Sequence, residues 1–445
     1  MKILVVSHGF PPRGGWGTEF YTHSLVHGLA ARGHAVSVLH PVRDGARPRY
    51  ALDRVEEEGI PIFLLANPGD PKKRFAPSYA DPRIEGLFAA FLSRERPDLV
   101  HFTYLLWGLS VRLPAVARAA GVASVVTLTD YGLLCHRGQL LDEQAARCSG
   151  PESPAKCARC VRTPGPWDGG GAERLARRLA GSAAAALGGL GRVPAARDLA
   201  RREEVVRAAL ADVERFIAPT AVLGATFVQW GLPRDRVERL VYSFPEEEYA
   251  GVRSVPPPVR PRLGYLAQLA PHKGLDTLVA AAGLVAGRRG ATGWEVVLHG
   301  AAEGGRHRRF APGVLARADR RVIRAGHPFP PADAPRVLAG LSALVLPARW
   351  DENAPLSLLQ ARAAGVPVVA SAVPGIAEIV EDGRHGRLVP PDDVPALARA
   401  LEEVIDGRLG RIASPGLPLA FPAHLDTVER IHAAARAATA AGGRA

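Results

Sequence analysis

Residues 348–371, ARWDENAPLSLLQARAAGVPVVAS, decide how this chain is read. They give a loop carrying two acids and an amide (Asp351, Glu352, Asn353), then a helix opening at Pro355, then a buried strand over 366–370. Pro355 suits the first helical position, where its missing N–H has no intrahelical partner to lose. Gly365 suits the helix end, where a left-handed residue is cheapest. The N-terminus of such a helix presents unpaired N–H groups and partial positive charge, so it suits an anionic or hydroxyl-rich ligand.

Working outward, the strand–helix alternation extends back to Leu263. It predicts a strand to Gln268, a helix from Leu275, and strands over 295–298, 321–324 and 343–346. Ahead of it, 243–262 holds Pro245, three consecutive glutamates, and Pro256, Pro257, Pro258 and Pro261. That composition is unsuited to a core element and reads as an interdomain linker. Before the linker the alternation appears again. A strand over 2–6 leads into a glycine-rich loop (Gly9, Gly14, Gly15, Gly17). A helix follows with Phe20, Leu25, Leu29 and Ala30 on its apolar side, ended by Gly33, and a strand over 35–39 comes next. Further apolar runs lie at 99–102 and 124–128. This is the pattern of a parallel sheet covered by helices, present twice. The expected fold is α/β, two Rossmann-like doubly wound domains facing across a cleft. The expected divisions are 1–242, a linker 243–262, a second domain 263–423, and a last helix within 424–445.

A length of 445 residues exceeds what one core fills, and 47% apolar with 22% charged is ordinary for globular domains. No apolar run is long enough for a bilayer, and residues 2–6 enter a strand directly with no signal-peptide layout, so a cytoplasmic location is expected. The net charge of +12 fits nucleic acid, an anionic membrane surface or a phosphorylated substrate. Only five of the 56 basic residues are lysine, beside abundant Ala, Gly, Pro and Arg, which is also the bias of a GC-rich genome. Residues 172–207 concentrate arginine at 174, 177, 178, 192, 197, 201 and 202. A solvated arginine face over an alanine–leucine contact explains them, as does a surface resting on anionic lipid. Gly188, Gly189 and Gly191 argue against one long amphipathic helix.

All four cysteines fall within 26 residues, Cys135, Cys148, Cys157 and Cys160, spaced C-x12-C-x8-C-x2-C. The final pair is the knuckle that lets two thiolates reach one ion, and disulfides are not expected in a cytoplasmic chain. A structural Zn²⁺, an iron–sulfur cluster and free thiols are the three readings, zinc the preferred one.

The 348–371 stretch resembles the donor-sugar motif of retaining glycosyltransferases of family 4, which have the GT-B fold. That motif carries two glutamates eight positions apart; here the first is Glu352 and the second position holds Gln360. The run 264–274, GYLAQLAPHKG, is similar to the family's diphosphate clamp, an arginine and a lysine five residues apart. Lys273 matches the lysine, and Gln268 stands in the arginine's place. Gly14 and Gly15 resemble the acceptor-side loop. Asp130 matches an acid of the first lobe that a histidine often precedes, and Thr129 holds the histidine's position. Cysteine-bearing loops of this kind occur in a subset of the family.

The resemblance implies a nucleotide-sugar donor, a UDP- or GDP-sugar, and an acceptor still to be identified, with membrane-borne acceptors included and peripheral attachment to the inner membrane face allowed for. No nucleic-acid partner is expected. Glu352 would hold sugar hydroxyls. Backbone N–H groups across Asn353, Ala354, Pro355 and Leu356, the proline excepted, would meet sugar and phosphate. Gln360 would face the ribose, without the charge that strengthens such bonds, and His327 the nucleobase. Lys273 and the helix terminus would stabilise the departing diphosphate with no catalytic metal. That diphosphate would take the acceptor's proton on the same face, while Asp130 lines the cleft. The last helix is expected to cross back to the first domain. Competing readings are a GT-B nucleotide-sugar epimerase and a non-catalytic GT-B scaffold protein.

Overall fold

The computed structural model describes residues 1–14, 17–69, 72, 75–165, 175, 194–302 and 309–442. The first of its two sheets takes β1 (Lys2–Val6), β2 (Ala35–Val42), β3 (Leu52–Glu57), β4 (Ile60–Ala66), β5 (Leu99–Phe102), β6 (Ala123–Thr127), β7 (Arg215–Ala218) and β8 (Val237–Arg239). Their order is β3-β4-β2-β1-β5-β6-β7-β8, parallel except for the β3–β4 hairpin. The second sheet takes β9 (Arg262–Leu266), β10 (Glu295–His299), β11 (Ile323–Ala325), β12 (Ala343–Leu346), β13 (Val368–Ser371) and β14 (Gly386–Val389). It is wholly parallel, in the order β11-β10-β9-β12-β13-β14. In each sheet the strand order reverses beside its first strand, and ligands of open α/β sheets bind at such a switch point.

Helices cover both faces, so central strands are apolar on both sides. Ile3 to Val6 in β1 and Val368 to Ser371 in β13 are all at most 1% exposed. One apolar cluster runs from the first sheet through Tyr242, Phe244 and Tyr249 into Leu356, Leu359 and Ile376 of the second lobe. A second cluster fills the far face of the second sheet, around Leu275, Val296 and Leu401.

Three expectations need correction. Residues 243–262 do contribute to the core: Phe244, Tyr249 and Val252 are buried, and a 3-10 turn (Glu247–Tyr249) leads into a short helix (Ala250–Arg253). Pro355 is the N-cap residue, not the first helical one; its ψ of 125° is extended, and the helix is Leu356–Ala363. The arginines of 172–207 do not share one solvated face. Positions 174, 177, 178 and 192, with the three glycines, lie outside the described residues. Arg197 and Arg201 are exposed on the helix Ala196–Ala211, whereas Arg202 is 4% exposed.

The final helix, Phe421–Gly442, belongs to the first lobe by contact. It packs on β6, β7 and the helix Gly17–Ala31. A Cβ on Gly28 would come within 2.7 Å of the Phe421 ring and 2.9 Å of Leu425, so glycine there permits the close approach. Arg32 pairs with Asp426 and Glu429, each at 2.7 Å.

Candidate active site

After β9 the chain makes a 3-10 turn, Pro271–Lys273, stopped by Gly274 at φ +69°. A Cβ on Gly274 would lie 1.8 Å from the Pro347 carbonyl oxygen, so only glycine lets this turn rest against the 347–355 loop. Across that contact Lys273 Nζ pairs with Glu352 Oε1 and lies 5.0 Å from the centre of the Trp350 ring. Glu352 is 5% exposed; a carboxylate that deep requires a partner. Gln268 is half-buried at the end of the same loop, its carbonyl accepting from Tyr265 Oη at 2.7 Å.

Sequence reasoning missed the residue that holds both loops. The Arg349 guanidinium donates to the Pro271 carbonyl (3.0 Å), Thr277 Oγ1 (3.1 Å), Asp276 and Asp392. Its backbone N–H donates to the His272 carbonyl at 3.1 Å. Its side-chain partners are distant in sequence and no local pattern announces them.

The helix Leu356–Ala363 is preceded by Ala354, buried and at φ +48°, a left-handed conformation that a non-glycine residue holds only at a cost of about 1 kcal/mol or more. A Cβ on Gly17 would stand 3.7 Å from the Leu356 side chain. The N-termini of Gly17–Ala31 and Leu356–Ala363 therefore converge across the cleft, and both carry partial positive charge. Asn353 is buried, with Nδ2 3.5 Å from the Thr129 carbonyl of the other lobe and no partner for Oδ1. Gln360 is 9% exposed and faces Tyr249. His327 is exposed, its carbonyl 3.1 Å from His299 Nδ1; no described contact joins it to the Lys273–Glu352 pair.

On the first-lobe side, Gly14 does make a close approach, to protein. A Cβ on Gly9 or Gly14 would come 2.5 or 2.7 Å from Glu19 Oε1. Glu19, 4% exposed in the first turn of Gly17–Ala31, also meets His8 Nε2 at 3.4 Å. Sequence reasoning passed over Glu19; Gly15 lies outside the described residues. Burial pushes the His8 imidazole down to about 4, so it is neutral at pH 7. His8 sits 4.3 Å from the Tyr104 ring and 5.7 Å from that of Trp107, which is 55% exposed. Tyr104 Oη donates to Asp130 Oδ2 at 2.9 Å, and the Gly132 N–H donates to Oδ1 at 2.7 Å. Burial raises the Asp130 pKa despite these bonds. The buried Arg202 guanidinium fixes the loop beyond Asp130 by donating to the Gly132 and Leu133 carbonyls.

Cys135, Cys148, Cys157 and Cys160 line one cavity of about 130 Å³, together with Arg202 and Glu203. Burial first, and the neighbouring thiols next, push the Cys157 thiol up to about 11; burial pushes Cys160 up to about 11. A cation among them would reverse both shifts. Four sulfurs are the donor chemistry that a thiophilic metal takes, although among the described residues no three of them approach within 4.8 Å of one another. From this module Arg147 reaches the 347–355 loop, pairing with Asp351 at 3.6 Å and approaching the Arg349 carbonyl at 3.4 Å.

Two facing Rossmann-like lobes, with a charged pair at the switch point of the second, make the GT-B architecture. Residues 17–243 match the family described as glycosyl transferase 4-like domain, and residues 260–407 match that described as glycosyl transferases group 1. The chain belongs to the glycosyl transferase 4-like family. It is similar to a D-inositol 3-phosphate glycosyltransferase of Corynebacterium aurimucosum, 31% identical over 153 residues, 34% of this chain and 36% of that one. The chain thus spans well under two thirds of the length of the curated relatives it matches. Among solved structures it resembles the sucrose-phosphate synthase of Thermosynechococcus elongatus (TM-score 0.64, 18% identity, 99% of this chain and 94% of that one). It also resembles HepE of Anabaena in complex with UDP-glucose (TM-score 0.60, 16% identity, 97% and 98%). At these identities the structural likeness is one of fold.

Proposed function

We propose that this glycosyltransferase is a retaining enzyme that moves a sugar from a nucleoside-diphosphate donor to an acceptor held against the first lobe. The observation that carries this reading is the Lys273–Glu352 pair beside two converging helix N-termini. Without donor, each charge of the pair neutralises the other. With donor bound, Lys273 turns to the diphosphate, and Glu352 accepts hydrogen bonds from the sugar hydroxyls. The helix termini and Lys273 supply positive charge where negative charge develops on the leaving group. The departing phosphate oxygen takes the acceptor's proton on the face that the acceptor attacks, so no separate carboxylate base is required. A UDP-sugar is the donor we favour, since a relative of the same fold is described in complex with UDP-glucose. The exposed Trp107, with Tyr104 and His8 beside it, offers an aromatic floor for the acceptor, and Asp130 lines that side. The four cysteines are proposed to hold a structural Zn²⁺ that rigidifies the module from which Arg147 reaches Asp351.

The test is nucleotide release from UDP-, GDP-, ADP- and dTDP-sugars, with anomeric configuration of any product read by NMR. Release of one nucleoside diphosphate with retained configuration supports the reading. An inverted product, or no binding of any donor, overturns it.

A further inference from the structure

Away from the cleft-facing end of the helix Gly17–Ala31, His23 and His27 stand one turn apart on a single face. Their rings are 4.3 Å apart between centres. Opposite them, Glu58 projects from the β3–β4 hairpin, with Oε2 3.2 Å from Nε2 of each histidine. The three ligand atoms all lie within 4.8 Å of one another. His23 is hydrogen-bonded to that oxygen, but His27 Nε2 is shielded from solvent and makes no hydrogen bond. We propose that His23, His27 and Glu58 form a divalent-metal site for Zn²⁺ or a similar borderline ion, separate from the cysteines and from the donor cleft.

The chemistry of the donors supports the assignment. Two imidazoles and one carboxylate are a usual three-residue zinc set, leaving the fourth tetrahedral position to water. A helical i, i+4 histidine pair delivers two nitrogens to one ion without backbone movement. The hairpin delivers the third ligand with little latitude. Glu58 and Gly59 form a two-residue connection with both φ positive, +52° and +77°. Such a turn favours Asn, Asp or Gly at its first position. A glutamate there is in a left-handed conformation that costs a non-glycine residue strain, and metal ligation would offset it.

The neighbours indicate what the ion would do. Glu57, the next residue back, pairs with Arg13 of the glycine-rich loop. Phe10 of that loop packs on the His23 ring, 5.4 Å between centres. An ion at this position would fasten the hairpin, the helix and the loop together, so metal occupancy would set the rigidity of the loop that opens onto the cleft.

The experiment is equilibrium dialysis of the full-length protein against micromolar free Zn²⁺, with bound zinc per chain measured by elemental analysis. Wild type is compared with His27→Ala and Glu58→Gln, and with Cys157→Ser to account for metal on the cysteines. Both His27→Ala and Glu58→Gln are expected to hold one zinc fewer than wild type, while retaining whatever metal depends on Cys157. Glu58 is solvent-exposed, so its substitution leaves the fold intact even where His27→Ala does not. Equal zinc content in wild type and Glu58→Gln overturns the assignment, whichever donor the enzyme uses.

Discussion

Lys273 is the residue on which the donor reading turns. A cation at a water-poor site facing a diphosphate acts like an oxyanion-hole donor, and removing one such group costs about 10²–10³-fold in turnover. Lys273→Gln is one atom shorter and keeps an N–H donor but removes the charge. Nucleotide release is expected to fall by that factor, with the circular dichroism spectrum unchanged; wild-type turnover in the variant would remove Lys273 from the site. Gly274 beside it permits a different prediction. Alanine there meets both a left-handed backbone and the Pro347 carbonyl at 1.8 Å. The cost is about 2–4 kcal/mol, since a carbonyl on a packed loop cannot swing away. Thermal unfolding of Gly274→Ala is expected several degrees below wild type, with the donor KM raised because the Lys273 turn is displaced.

At the scale of elements, the two loops of the proposed donor site are held by one arginine. Arg349→Met fills similar space but leaves the Pro271 carbonyl without its buried donor, and releases Asp276 and Asp392. Both acids retain some solvent contact, so the expected loss is about 1–3 kcal/mol, below that of a fully buried pair. Because Arg349 acts through the turn and not on substrate, the donor KM is expected to rise more than kcat falls. Steady-state kinetics separate the two. The loops themselves were legible in the sequence: strand, Pro-His-Lys-Gly turn and the 348–371 stretch each carry local signals. Arg349 was not, because its meaning depends on Asp276 and Asp392, brought to it only by the folded sheet. The β3–β4 hairpin also escaped notice. Its outer strand, LDRVEE, has no buried face, and its turn is Glu-Gly, not the Asn-Gly or Asp-Gly that signals such a connection. Likewise the average composition of 243–262 concealed Phe244 and Tyr249, single aromatic anchors in a proline-rich stretch. Gly14 was read as part of an acceptor-side loop; in the structure the side chain nearest its Cβ position is the Glu19 carboxylate, five residues on.

At the scale of the whole molecule, the helix Phe421–Gly442 ties the end of the chain to the first lobe through buried histidines. His432 Nε2 lies 3.0 Å from His101 Nδ1, and His424 Nε2 lies 3.2 Å from Tyr21 Oη. Burial lowers the His101 pKa to about 3 and the His424 pKa to about 4, and it lowers that of His432 well below the ordinary value, all from 6.5. Each imidazole is neutral when the helix is docked and free to take a proton when it is not. Between pH 6.5 and the docked pKa, the undocked state therefore binds more protons, and docking is lost as pH falls. The full stability is present above pH 6.5; at pH 5 each such histidine has withdrawn about 2 kcal/mol. His101 and His432 touch, so the first proton on that pair discourages the second, and the total is less than a simple sum. The ion pairs of Arg32 with the exposed Asp426 and the half-buried Glu429 are of small worth and do not hold the helix alone. Amide exchange across 421–442 is thus expected to accelerate between pH 7 and pH 5 relative to β1 and β5, after correction for intrinsic rates. His432→Gln, which removes one titrating group and keeps a polar contact to His101, is expected to reduce that acid sensitivity. An exchange ratio that stays flat over this interval would mean that the helix is held by apolar contacts through Leu425, Val428 and Ile431, with the histidines as passengers.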